Sequence, residues 1–252
     1  MEDLTSSPDT DAAHGAAAGS RVSEVSRTTG DVDLEAASRA IEAFLTALGH
    51  PPSSDPELRQ TGRLVAHAYH DELLAGYRMD PAEVLRETLT ATGSGLVIVR
   101  DLSVTCICPH HLLPASGVIH VGYYPNERIV GLGAIARLAR GFAARLILQE
   151  TLCEQIADAL VQHLGARGAA CVAQLEPACL TTRGERAAHA SVITTATSGV
   201  LRKEAALRSE FFAVLGGPDN SYRALERAST QAGARERERE RERDKDGTEH
   251  RR

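Results

Sequence analysis

Two β-branched stretches stand almost back to back in this chain. GLVIVRDLSVTCIC (95–108) is followed by SGVIHVGYYP (116–125), with only a short Pro/His-containing segment between them. The pattern recurs downstream, where GAACVAQLEPAC (168–179) is followed by HASVITTATSG (189–199). Strands that arrive in pairs predict an antiparallel sheet of an α+β protein, not alternating parallel units. Helical segments are expected between the pairs, over 131–145 and 148–165. The second of these carries Leu152, Ile156, Leu160 and Leu164 at helical spacing. A last helix is expected over 203–214.

Upstream, Leu34, Ala37, Ile41, Phe44 and Leu48 share one face of a predicted first helix. A second helix is expected from Pro56 to Tyr77, with Leu58, Val65, Tyr69 and Leu73 inward. Asp80-Pro81 starts a short third one, because Asp caps and proline suits the first turn. The chain divides into a disordered leader (1–32), a helical region (33–90), a main body (91–216) and a charged tail (217–252). The leader lacks an apolar period, and the tail, ending RERERERERDKDGTEHRR, has no apolar face to dock.

Composition excludes several roles. Against 28 basic side chains stand 34 acidic ones, and the net charge of -6 gives no general attraction to nucleic acid or anionic lipid. An anionic substrate therefore needs local basic residues. No apolar run is long enough to span a membrane, and MEDLTSSPDTD is not a secretory signal. Five cysteines without such a signal point to reduced thiols in a cytoplasm.

CICPHH (106–111) concentrates metal-ligand chemistry at the end of the first strand. Cys108 and His111 are three apart across a turn that Pro109 favours. A third ligand has to come from elsewhere, and Cys179, at the end of a strand beside TTRGER, is the best candidate. Three protein ligands leave a zinc position open for water, the arrangement of catalytic sites. Cys106, Cys153 and Cys171 read as buried thiols. His120 and His163 are given no site role.

CPHH, IVGLGAIARLAR, LQETLCEQIADAL and CLTTRGERAAHASVITTATSG occur in the order and spacing of the GTP cyclohydrolase I family. That family reads C-E-H-H, G-L-S-K-x-x-R, Q-E-R-L and H-x-C-x-x-x-R-G. TGRLVAHAYHDELLAGY is similar to its T-P-x-R helix. The resemblance covers about 180 residues and implies a tunnelling fold, an antiparallel sheet packed on two long helices. Subunits of that fold join into a homo-oligomer, usually a decamer, with sites between subunits. The implied reaction opens the purine imidazole ring of GTP with zinc-activated water, releases formate and closes a pterin ring, giving 7,8-dihydroneopterin triphosphate on the way to tetrahydrofolate. Cys108, His111 and Cys179 match the zinc ligands, and His110 matches the acid/base histidine. Gln149 and Glu150 match the pair that holds the base. Arg63, Arg137 and Arg183 match arginines placed for the triphosphate.

The chain departs from the family at four places. Pro177 stands where H-x-C has its histidine, Gly133-Ala134 replaces Ser-Lys, Ala66 replaces a lysine, and Pro109 replaces the glutamate of C-E-H-H. Proline cannot transfer a proton, and each lost charged hydrogen bond weakens triphosphate binding by about 1–3 kcal/mol where desolvated. Two alternatives to the family reaction follow. One is a cyclohydrolase that stops at a formamidopyrimidine or uses a less phosphorylated purine nucleotide. The other is a zinc-binding paralogue without catalysis.

Overall fold

A computed structural model describes residues 31–216. The expected tail lies outside them, as does the expected leader except for residues 31 and 32.

Helix α1 (Leu34–Ala47) starts at Asp33, whose carboxylate accepts a hydrogen bond from the Ala36 N–H at 2.8 Å. Its predicted apolar face does not become core: Phe44 and Leu48 are 59% and 60% exposed. The helix instead packs on α2 (Thr61–His67) through small residues. A Cβ on Gly62 would sit 2.6 Å from the Ser38 carbonyl oxygen, so only glycine allows this approach.

The long second helix expected from Pro56 to Tyr77 is broken. A 3-10 turn at Pro56–Leu58 precedes α2, a wider π turn covers Ala68–Leu73, and a 3-10 turn follows at Ala75–Arg78. The break has a packing cause. The Gly76 N–H donates to the Ala144 carbonyl at 2.9 Å, and a Cβ at Gly76 would lie 1.8 Å from the Gly141 oxygen. The chain leaves its helical path to make that contact. Helix α3 (Pro81–Val84) begins at Asp80 as expected but lasts one turn.

Strand β1 (Thr88–Thr90) pairs antiparallel with β4 (Arg128–Val130), a two-stranded ribbon the sequence reading missed. The main sheet contains β2 (Val97–Ile107), β3 (Pro114–Tyr124), β5 (Gly168–Pro177) and β6 (Val192–Gly199) in the order β2-β3-β5-β6. All its neighbours are antiparallel, as the paired strands predicted. A bulge between Val99 and Leu102 interrupts β2. There Asp101 takes a positive φ of 57°, and its N–H donates to Nδ1 of the fully buried His120.

Two helices cover one face of the sheet. Helix α4 (Leu132–Ala143) lies on β2, and α5 (Gln149–Ala159) lies on β5 and β6 and continues as a π turn through Leu164. Ile119, Val121 and Tyr123 of the sheet meet Ile135, Leu138, Phe142, Leu152 and Ile156 in one core cluster. Residues Ala178–Thr181 form the short α6. Beyond β6, α7 (Val200–Lys203) and α8 (Ala205–Leu215) replace the single helix expected over 203–214. Phe211 of α8 packs with Tyr124, Ala170 and Val172 in a second cluster. The architecture is α+β with antiparallel sheets.

Candidate metal centre

Strand β2 delivers the chain to Cys108, where it folds back on itself. The Cys108 N–H donates to the Leu113 carbonyl, and the Leu112 N–H returns to the Cys108 carbonyl, both at 2.9 Å. Leu112 takes a positive φ of 53° to close this loop. The closure brings Cys108 Sγ within 3.8 Å of His111 Nδ1. The sheet supplies the third group. Pairing of β3 with β5 sets Pro177 opposite Ala115, at the foot of the same loop. Helix α6 begins at once and carries Cys179 there.

The ligand atoms of Cys108, His111 and Cys179 all lie within 4.8 Å of one another. Two sulfurs and an imidazole nitrogen around a tetrahedral zinc would stand about 3.5–3.8 Å apart, given the usual Zn–S and Zn–N lengths. Small side-chain adjustments close the difference, and the soft donor set suits zinc. The two cysteines are half-buried and His111 is exposed, so a bound ion would face solvent on one side. His110 is exposed beside the cluster, its ring centroid 6.3 Å from that of His111 at an interplanar angle of 85°. Cys106 points into the core, where burial first and Cys108 second push its thiol up to about 11. Cys153 and Cys171 are fully buried in the same core.

Gln149 is nearly buried at the start of α5. Its amide nitrogen donates to the carbonyls of Ala173 (3.0 Å) and Val192 (2.8 Å), tying β5 to β6. Glu150 follows, exposed in the first turn. The three arginines sit on different segments. Arg63 is exposed on α2 and donates to Gln60 Oε1 at 2.7 Å. Arg183 is exposed in the turn after α6. Arg137 lines a cavity of about 570 Å³ with Arg86, Glu83, Gly133 and Ala134. Neither Arg63, Arg183 nor any of the metal-group residues lines that cavity.

The departures have structural consequences. Ala66 and Ala134 are both buried, and Ala134 lines the same cavity as Arg137. Pro177 ends β5, two residues before Cys179. The sequence reading gave no role to Arg86 or to Arg145, which is 3% exposed. An arginine inside ARLILQE carries no signal of its burial.

A sequence model described as GTP cyclohydrolase I matches residues 37–216. A protein named GTP cyclohydrolase 1 from Dehalococcoides mccartyi is 38% identical over 185 residues, which cover 73% of this chain and 97% of the relative. One of the same name from Corynebacterium glutamicum is 40% identical over 189 residues, 74% of this chain and 95% of the relative. Another, from Bifidobacterium longum, is 40% identical over 174 residues, covering 69% and 86%.

Proposed function

The chain belongs to the GTP cyclohydrolase I family, and from that membership we propose that it opens the imidazole ring of GTP, releases formate and forms 7,8-dihydroneopterin triphosphate. The observation that carries the reading is the convergence of Cys108, His111 and Cys179 from two distant segments within 4.8 Å. These three residues would hold zinc, which would supply a Lewis acid able to activate water near neutral pH.

The chain's own side chains do the rest. His110, exposed next to the cluster, moves protons to and from the opening ring. Glu150 accepts hydrogen bonds from the guanine N–H edge, a charge-assisted contact. Gln149 offers the same edge only Oε1, because its amide protons are committed to the sheet. Arg63, Arg137 and Arg183 hold the phosphates through their guanidinium forks. They are dispersed over one chain, so a complete site draws on a second copy in a homo-oligomer, which we take to be the decamer of the tunnelling fold. Exposed Phe44, Leu48 and Leu64 and the position of β6 at the outer edge of the described sheet support that assembly. The five free cysteines among the described residues support a cytoplasmic location, where thiols stay reduced.

A second reading rests on Pro177, Ala66 and Ala134. A site lacking one acid/base group and two cations favours ring opening that stops at the formamidopyrimidine, or a substrate with fewer phosphates. Zinc-loaded protein incubated with GTP, GDP, GMP and guanosine separates the possibilities. Formate together with pterin fluorescence from GTP supports the first reading. Formate without pterin, or faster turnover of a less phosphorylated substrate, supports the second. Stoichiometric zinc with no turnover leaves a non-catalytic zinc protein.

A further inference from the structure

Leu112 stands one residue past the candidate ligand His111 and takes a left-handed φ of 53°. Left-handed backbone is costly for leucine and persists only where the surroundings hold it. The loop that this residue closes is short. The Leu112 N–H donates to the Cys108 carbonyl and the Cys108 N–H to the Leu113 carbonyl, both at 2.9 Å, and both bonds are internal to the loop. Among the described residues, one hydrogen bond reaches residues 109–112 from another element. It comes from Tyr69, whose hydroxyl donates to the Leu112 carbonyl at 2.7 Å. Burial raises the Tyr69 phenol above its ordinary pKa, so at neutral pH the hydroxyl keeps its proton and remains a donor.

Tyr69 stands in the π turn Ala68–Leu73. The Leu74 N–H donates to the Tyr69 carbonyl, five residues back, at 2.8 Å. Such widened turns occur frequently at functional positions. The approach of Gly76 to Ala144 explains why the chain leaves its helical path after this turn. It does not explain why a half-buried tyrosine near the start of the turn reaches a loop 43 residues away.

The three candidate ligands differ in what places them. Cys108 directly follows β2, and Cys179 lies just past β5, whose register with β3 sets its position. His111 alone depends on the course of the loop. Its Nδ1 stands 3.8 Å from Cys108 Sγ, and the direction in which the chain leaves it is set by the Leu112 backbone. A tyrosine that only tied two surface segments together would have no reason to bond the strained residue beside a ligand. Groups that orient a metal-binding histidine are a regular part of metal sites. We propose that Tyr69 is a positioning residue of the metal centre: its hydroxyl holds Leu112 in the left-handed conformation and thereby sets the His111 imidazole against Cys108 and Cys179. The inference rests on the metal centre proposed above.

Tyr69→Phe removes the hydroxyl and keeps the ring. Zinc affinity, measured by competition with a chromophoric chelator, should fall about 10–100-fold. The visible d–d bands of the cobalt-loaded variant should shift from those of the wild type, with circular dichroism unchanged. Leu112→Asn in the Tyr69→Phe background should recover most of the lost affinity, because asparagine enters left-handed backbone more readily than leucine. A bond of general stability alone would lower the urea midpoint of metal-stripped protein and leave zinc affinity and the cobalt spectrum as in the wild type. That result overturns the proposal, as does a Tyr69→Phe chain without native circular dichroism or a failure of Leu112→Asn to recover affinity. Wild-type protein that takes up neither zinc nor cobalt would sink the metal centre itself, a result distinct from equal binding by wild type and variant.

Discussion

Pro177 is the residue whose chemistry differs most from its surroundings. It occupies the last position of β5, two residues before a candidate zinc ligand, and has no proton to give. Pro177→His is therefore expected to raise pterin formation relative to formate release. The gain should fall within roughly 10²–10⁴, the usual contribution of one acid/base group to its step, and is read as the ratio of fluorescence to formate. Cys179→Ala should reduce bound zinc from one per chain to well below one and abolish formate release, as seen by metal analysis and a formate assay. The pattern Cys-x-x-His was legible in the sequence because its loop is local. Cys179 stands out in the sequence as a cysteine at a strand end beside TTRGER, but its meeting with the loop depends on the register of β3 with β5, which no local pattern carries. His120 went unassigned because alternation in a strand does not reveal what a bulge in the neighbouring strand will do. Burial, first, and Arg100 lower its pKa, while Asp101 opposes them. An unfolded histidine titrates near 6.5, so below that pH the unfolded chain binds the proton first. Stability should fall as pH drops from about 6.5 toward the lowered folded value, and level off beneath it. Urea midpoints of metal-stripped protein at about pH 7.5 and about pH 5.5 check this, and His120→Gln should flatten the difference.

At the scale of elements, the long strands and the two helices on the sheet were legible, because each carries an extended apolar pattern with its core on one side. The N-terminal helices were less so. Their periodicity suggested a buried stripe, yet α1 meets α2 through Ser38, Glu42 and Gly62, and Phe44 remains outside. The three-residue strands β1 and β4 are too short to produce a period at all. Close approach makes Gly62 a sharp probe of the α1–α2 contact. Gly62→Ala should destabilise the chain by about 1–3 kcal/mol, because the new methyl meets a backbone carbonyl that cannot swing aside. The same change on an open helix surface would stabilise it slightly through better helix propensity. Chemical denaturation thus distinguishes the two by the sign of the shift.

At the scale of the whole molecule, one chain leaves apolar surface and a sheet edge uncovered. Arg63, Arg137 and Arg183 sit on three different segments, and Arg137 lines a cavity that none of the candidate metal ligands lines. Large apolar side chains stay exposed on the N-terminal helices, and among the described residues β2 and β6 are the outer strands of the sheet, with β2 bridged to Leu146 at Ile107. An isolated chain with these features invites association, and a symmetric assembly satisfies both needs at once. Sedimentation should therefore give a mass several times that of one chain. Phe44→Asp combined with Leu64→Glu charges the exposed helical face without touching the metal group. If that face is an interface, the variant sediments as smaller species, keeps its zinc, and loses formate release because the arginines no longer meet the site. A variant that dissociates fully yet turns over GTP at the wild-type rate would show that one chain holds a complete site, and the shared-site arrangement would have to be abandoned.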